Sequence, residues 1–259
     1  MRQLPIRIIL ARPRNPDNIG AAARAMANFG LSRLAVVAPH IPVWRETAET
    51  SATAGSGEPV WLMERARAAV GAADVIRAAE IFGTMAEAAA DCALLLGTSA
   101  LQRRAPNRDV VLLSDAPGYI AERLPRGRNT TIGILFGSER SGLTNEELSH
   151  CHAVLNIPTC EKQPSMNLGQ AVALVCYELA GRSSAGGPRA VRPAVHLPQL
   201  REIERVVSEV LALMNGSRGK REHETEIRRA LLDARMTKGA MGVLKALLNR
   251  IRVSEKFPD

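Results

Sequence analysis

The chain has 259 residues, 46% of them hydrophobic, 23% charged and only 3% aromatic, with a net charge of +8. Those proportions fit a folded soluble protein with room for one sizeable domain and a smaller one, and the positive excess favours a polyanionic partner such as nucleic acid. No run approaches the roughly 20 apolar residues of a membrane span, and the N-terminal segment lacks the apolar core of a signal peptide, so a cytoplasmic protein without membrane contact is expected.

Ile6 to Leu10 predicts a short buried strand, Arg12 to Asp17 a basic loop, and Ile19 to Phe29 an alanine-rich helix capped by Asp17 or Asn18 and stopped by Gly30. Leu34 to Val37 is the next strand, and strand–helix–strand at this spacing is a βαβ unit that implies a parallel sheet. Thr84 with Glu87 forms a capping box, opening a helix that leads to the strand Cys92 to Leu96 and a turn at Gly97-Thr98-Ser99. Ile132 to Phe136 is a further strand. Thr144 with Glu147 is a second capping box, Val154 to Ile157 another strand, and Asn167 with Gln170 resembles a third box that starts a helix running through Leu179.

At Gly181 the composition changes to a linker rich in Gly, Ser, Pro and Arg. Leu200, Ile203, Val207, Val210 and Met214 then recur at helical spacing, as do Ile227, Leu231 and Ala234, and Met241, Leu244, Leu248 and Ile251. This predicts two or three helices that pack along apolar seams, with Arg218-Gly-Lys-Arg221 in a connection between them. The organisation is a domain over 1–180, a linker over 181–197 and a helical extension over 198–259. The four cysteines, Cys92, Cys151, Cys160 and Cys176, show no CxxC spacing, which reads as a reduced protein. His150-Cys151-His152 has no second Cys/His pair at zinc spacing, so no metal is expected. Absence of a GxxxxGK[ST] loop and of a Gly-x-Gly-x-x-Gly fingerprint disfavours nucleoside triphosphates and dinucleotides. Trp44, Trp61, Tyr119 and Tyr177 are too scattered to stack single-stranded bases as RRM and OB modules do.

Three stretches carry the chemistry. Asn18-Ile-Gly-Ala-Ala-Ala-Arg24 opens the first helix. Phe136-Gly-Ser-Glu-Arg-Ser-Gly-Leu143 takes a strand into a glycine-bearing loop with one acidic side chain. Ile157-Pro158 and then Ser165-Met-Asn167 take a strand into a long loop that ends on a helix cap. Gly137 or Gly142 alone reads as a turn glycine. In combined order and spacing, the three resemble the motifs of the SPOUT methyltransferases, the RNA-methylating family that folds as a parallel-sheet α/β domain with a C-terminal trefoil knot. Within it, the opening from Ile8 to Met26, the run Gly142 to Leu148 and the helical extension are similar to the TrmJ-type tRNA 2′-O-ribose methyltransferases.

That resemblance implies S-adenosylmethionine held by loops at the carboxyl ends of strands. Its candidate contacts are Leu96, Gly97, Thr98, Ser99, Ala100, Phe136, Gly137, Ile157, Pro158, Pro164, Ser165 and Met166, with Leu96, Ile157 and Met166 as the apolar slot for adenine. It implies a catalytic set of Arg24, Asn18, Glu139, Ser165 and Asn167, a homodimer whose sites combine loops of one subunit with the motif-one arginine of the other, and a target at nucleotide 32 of the tRNA anticodon loop, on cytidine and/or uridine. Asn18 would cap and position, and Arg24 would reach the nucleotide. Because a guanidinium has donors and no acceptor, holding a phosphate and orienting the hydroxyl is an easier task for Arg24 than acting as a base. Glu139 would bind loop amides or the Ser165 and Asn167 region, or touch the RNA hydroxyl; for Asn167, an N-cap and a catalytic role stay open. Arg12, Arg14 and Arg140 read as phosphate contacts or as solvated loop charges. The rival readings are methylation of ribosomal RNA or of another tRNA position, a non-catalytic RNA-binding relative, and a generic α/β nucleotide-binding protein.

Overall fold

The computed structural model describes residues 5–39, 70–101, 108–124, 130–181, 198–214, 220–234 and 236–256. The linker expected from Gly181 lies, from residue 182 on, outside the described residues, as do Trp44, Trp61 and Arg218.

Parallel strands buried on both faces need unbroken apolar runs, and the middle of this chain's sheet has them. Strands β1 (Ile6–Ala11), β4 (Cys92–Thr98) and β6 (Thr131–Phe136) are buried along nearly their whole length. With β2 (Arg33–Val37), β3 (Glu80–Phe82), β5 (Asp109–Leu112) and β7 (Ala153–Asn156) they form one seven-stranded sheet in the order β3-β2-β1-β6-β4-β7-β5. Every pairing is parallel; Ile8, for example, stands between Leu34 and Ile134. The chain leaves β1 toward β2 on one side and builds the rest of the sheet on the other, so the order reverses between β1 and β6. Open α/β sheets place ligands beyond the carboxyl ends of the strands at such a reversal.

Helix α1 (Pro16–Asn28) begins two residues before Asn18. Its cap is Asn15, whose side chain accepts from the Asp17 amide at 2.9 Å, not Asp17 or Asn18 as expected. The reason is Pro16, which has no N–H to satisfy and whose fixed φ suits the first helical position. Gly97 and Thr98, expected in a turn, instead extend β4 by pairing with β6 and β7, and the turn begins at Ser99. Both capping boxes form, on α3 (Met85–Ala88) and α5 (Asn145–Ser149). Helices α2 (Ala73–Arg77) and α4 (Ala116–Arg123) and the edge strands β3 and β5 have no counterpart in the sequence reading. Those strands are mostly exposed and lack clean alternation.

Helices α1, α2, α4 and α6 (Leu168–Gly181) cover one face of the sheet over Ile8, Leu34, Leu94, Leu96, Ile134 and Phe136. The other face, with Ile9, Ala35, Leu95 and Leu135, is covered by α3 and by α7 (Leu200–Leu213), α8 (Lys220–Asp233) and α9 (Lys238–Lys256). Leu200, Ile203, Val206 and Val207 of α7 are almost fully buried there, each worth about 1.5–3 kcal/mol by area removed from water. The C-terminal helices therefore supply the second layer that a parallel sheet demands. Lys220 and Arg221 belong to α8 rather than to the connection before it. Among the described residues no helix is long and apolar enough to cross a membrane.

The amino ends of the strands are closed by charge. Arg7, 5% exposed, donates to the Ala88 carbonyl at 2.9 Å, to both oxygens of Asp91 and to Glu80; Arg33 bonds Asp91 and Thr131.

Candidate active site

Three loops at the carboxyl ends of the strands meet through one chain of hydrogen bonds. Glu139, on the loop after β6, accepts from the Arg14 amide at 3.0 Å, the Asn15 amide at 3.3 Å and the Asn18 side-chain amide at 2.8 Å. Asn18, in the first turn of α1, in turn accepts from Asn167 Nδ2 at 3.0 Å. Asn167 closes the third loop: its Oδ1 accepts from the Gly169 and Gln170 amides at 2.9 and 3.4 Å, capping α6. Asn167 is thus an N-cap and a partner of Asn18 at once. A carboxylate with three N–H donors and two amide side chains aligned in series hold the loops in one relative position, and each of the two amides has a defined orientation as a result.

The loop after β6 is shaped by two glycines for different reasons. A Cβ on Gly137 would stand 2.1 Å from the Gly142 carbonyl carbon and 2.2 Å from the Leu143 amide nitrogen, so the loop closes only because that atom is missing. Gly142 adopts φ +65°, the left-handed region that glycine enters without strain. The bridge between Ser138 and Gly142 completes this turn.

Arg12 is an ion-paired residue rather than a freely solvated charge. It takes φ +50° at the end of β1 and directs its guanidinium at Glu147, donating Nε to Oε1 at 2.8 Å and Nη2 to Oε2 at 2.9 Å, with a further bond from Nη2 to the Gly142 carbonyl at 3.1 Å. Glu147 also accepts from the Thr144 amide at 2.6 Å in its capping box. Burial opposes the charge on Glu147, but the Arg12 bonds and the Thr144 amide outweigh it and hold the carboxyl below its ordinary range; the Glu147 bond raises Arg12. This fork-to-fork pair is a site residue set that sequence reasoning missed. The capping box was legible, but one carboxylate serving two partners 135 and 3 residues away was not.

The remaining candidates fall on the same rim. Leu96 and Phe136 are fully buried at the ends of β4 and β6, beneath the loops. Gly97 is packed so tightly that a Cβ there would meet Cys151 Sγ at 2.7 Å and Leu148 Cδ2 at 3.0 Å. Thr98 donates its hydroxyl to the Leu135 carbonyl at 3.1 Å. The Ser99 amide donates to Leu155 O at 3.1 Å and Asn156 Nδ2 to Ser99 O at 3.0 Å, tying the 99–101 turn to the end of β7. Ile157 and Met166 are half-buried, Ala100, Pro158 and Ser165 are exposed, and Pro164 is held through its carbonyl by the Thr159 hydroxyl at 3.0 Å. Arg24 lies exposed on α1, two turns beyond the cap, with no partner among the described residues. It does not join the Glu139–Asn18–Asn167 chain.

His150, Cys151 and His152 point to different partners. His150 Nδ1 lies 3.1 Å from Glu204 and Cys151 packs on Gly97. His152 accepts the Leu95 amide at 3.1 Å, and burial pushes its pKa down to about 4.

Residues 57–177 match the SpoU rRNA Methylase family. A tRNA (cytidine/uridine-2′-O-)-methyltransferase TrmJ from Photorhabdus laumondii is 32% identical over 254 residues, covering 95% of this chain and 96% of the relative. A Pseudomonas aeruginosa TrmJ named for cytidine, uridine and adenosine is 37% identical over 174 residues, 67% of this chain and 60% of its own length. The crystal structure of TrmJ from Z. mobilis ZM4 superposes with a TM-score of 0.74 at 28% identity, covering 95% of this chain and 98% of that one. The superposition spans the sheet and the C-terminal helices alike, and the long alignment includes the Asn18 and Arg24 helix that precedes the family match. The chain belongs to the SPOUT methyltransferase family and is most like its TrmJ members.

Proposed function

We propose that this protein methylates the 2′-hydroxyl of a ribose in tRNA, using S-adenosylmethionine, at nucleotide 32 of the anticodon loop and on cytidine and/or uridine. The observation that carries the reading is the Glu139–Asn18–Asn167 chain, which joins the three motif loops at the sheet's reversal, with an exposed Arg24 on the same helix as Asn18. The names of the relatives, aligned over nearly the whole chain, support the substrate class.

The rim suits the methyl donor in chemistry. Half-buried Ile157 and Met166 offer an apolar slot for a planar base, while Ala100, Pro158 and Ser165 expose polar groups, one of them a hydroxyl, at its edge. The residues that would hold it are 96–100, Phe136, Gly137, Ile157, Pro158 and Pro164 to Met166. When bound, S-adenosylmethionine supplies an electrophilic methyl on a sulfonium. The chain's own contribution is position and charge: Glu139 and Asn18 fix the loops, and Arg24 holds an RNA phosphate and orients the hydroxyl, supporting negative charge as it develops on the oxygen.

The reading includes a homodimer in which Arg24 serves the partner's site. Leu174 and Tyr177 of α6, 40% and 60% exposed, lie beside α1, with Tyr177 edge-on to Phe29 at 5.9 Å; this apolar surface supports a second copy there. It also includes a trefoil knot. What supports that is the path of the chain: β7 sits beyond β4 rather than beside β6, and the chain then returns to pack α6 on α1. The protein would act in the cytoplasm on transfer RNA. Ribosomal RNA, the substrate in the matching family's description, is the second reading.

The test is methyl transfer from labelled S-adenosylmethionine to unmodified tRNA transcripts, for wild type and Arg24→Ala, with the site mapped by nuclease digestion. A 2′-O-methyl at nucleotide 32 that disappears in the variant is the expected result. Transfer to ribosomal RNA alone would move the substrate, and no transfer to either would overturn the reading.

A further inference from the structure

A second cluster of buried charge lies where α8 meets the end of α5. Arg228, 4% exposed, donates Nε and Nη2 to the two oxygens of Glu204 at 2.7 and 3.1 Å, Nη2 to Glu224 at 2.7 Å and Nη1 to the Ser149 hydroxyl at 3.1 Å. From the other side, Arg108 donates to the Ser149 carbonyl at 2.8 Å and pairs with Asp233 at 3.4 Å. The Ser149 hydroxyl donates its own hydrogen bond to the Glu146 carbonyl at 2.7 Å, and the neighbouring His150 faces Glu204 at 3.1 Å. Both polar groups of the last residue of α5 are therefore held by arginines, one from the C-terminal helices and one from the segment entering β5. Cations at a helix's carboxyl end satisfy its last acceptors and oppose its dipole.

Helix α5 is short, and its other end belongs to the active site. Two residues before Ser149, Glu147 grips Arg12, which also holds the Gly142 carbonyl. Leu143, Leu148 and Cys151 pack against Gly97 of β4. A displacement of α5 would move the loop after β6, the Arg12 turn and the packing on Gly97 together.

We propose that Arg228 and Ser149 are positioning residues for the methyl-donor site: the C-terminal helices clamp α5 and thereby keep the loops on which S-adenosylmethionine rests in their binding arrangement. This rests on the reading of that rim as the donor site. The extension then acts on the donor, whatever share it also takes in binding tRNA. Glu204 and Glu224 hold the Arg228 fork in place, and Arg12 carries the constraint across to β1.

The experiment measures binding of S-adenosylmethionine to the full chain by calorimetry and KM for donor and for tRNA by methyl transfer. Wild type is compared with Arg228→Met, Arg228→Lys and Ser149→Ala. Absence of donor binding by wild type would sink the functional reading itself. Given wild-type binding, the expected result is a rise of about tenfold in the donor Kd and KM of Arg228→Met, with tRNA KM within about twofold. Arg228→Lys, which keeps the charge near Glu204, recovers part of the loss, and Ser149→Ala shifts the donor Kd in the same direction by about threefold. An unchanged donor Kd in folded Arg228→Met, or equal weakening of donor and tRNA, overturns the proposal. If Arg228→Met does not fold, Ser149→Ala decides alone, because it leaves the Arg228–Glu204 pair intact; an unchanged donor Kd there overturns it as well.

Discussion

At the amino ends of the strands, Arg7, Arg33, Glu80 and Asp91 are closed on one another and on Thr131. At the carboxyl ends, the guanidinium groups of Arg14 and Arg140 are exposed and have no partner among the described residues, and the same holds for Arg24 two turns along α1. The same residue types serve opposite purposes at the two edges. A salt-bridged arginine inside a sheet edge, such as Arg7 with both terminal nitrogens bonded, holds the fold, whereas an exposed one keeps its donors for a ligand. Arg12 shows that the division is not one of position alone. It stands at the carboxyl edge, yet its Nε and Nη2 are engaged by Glu147 and the Gly142 carbonyl, so it shapes the loop after β6.

The comparison is broken or sharpened by substitutions at each edge. The largest effect is expected for Arg24→Ala, which should lower methyl transfer by at least about 100-fold. Its unfolding free energy should stay within about 0.5 kcal/mol of wild type in urea titration, since the side chain is exposed; a large loss of stability would make Arg24 a fold residue like Arg7. Gly137→Ala comes next. Its Cβ would overlap the Gly142 backbone at 2.1 Å, and we expect about 3 kcal/mol of destabilisation by overpacking, together with loss of donor binding.

At the opposite edge, Asp91→Asn leaves Arg7 with weaker partners. It should cost about 2 kcal/mol in urea titration, tempered because Asp91 is partly exposed and Arg7 keeps the Ala88 carbonyl. Turnover per folded molecule should not change, and a drop in turnover would show that the two edges are coupled. Glu139→Gln keeps one acceptor where two oxygens served three donors. We expect about a tenfold fall in kcat/KM with stability nearly unchanged, read from steady-state kinetics.

The smallest effect is in pH dependence. Glu147 and Asp91 both have lowered carboxyl pKa values; burial raises each, and the arginine bonds more than offset it. Each contributes stability that is complete above the ordinary carboxylate range and is lost as pH falls below about 4.5 for Glu147, or about 3.8 for Asp91, and through the folded value. His152 adds to the same acid loss: its neutral ring is favoured in the fold, so its contribution is complete above 6.5 and disappears as pH falls through about 4. Urea midpoints measured from pH 7 downward should fall on acidification, and Glu147→Gln should flatten the slope. An unaltered slope would mean that the Arg12–Glu147 pair is not formed in solution.

The sequence by itself determined the parallel α/β architecture, because fully buried strands such as Ile6–Ala11 and Thr131–Phe136 must be continuous apolar runs and because Thr84–Glu87 and Thr144–Glu147 are local capping signals. It also singled out Asn18, Glu139 and Asn167, as motif residues of a recognisable family. It misplaced the first helix cap because the Asn15-Pro16 pair was passed over, and it left β3 and β5 unread because short, mostly exposed edge strands carry little pattern. Only the tertiary structure decided how those site residues meet. Glu139 lies 121 residues from Asn18 and Asn167 lies 149 from it, distances over which no periodicity carries information. The use of Glu147 by Arg12, the clash that reserves Gly137 for glycine, and the grip of Arg228 on Ser149 likewise exist only once the strand order brings distant segments within hydrogen-bond reach. Local propensity acts over a few residues; the site is made of contacts between loops that the sheet's reversal places side by side.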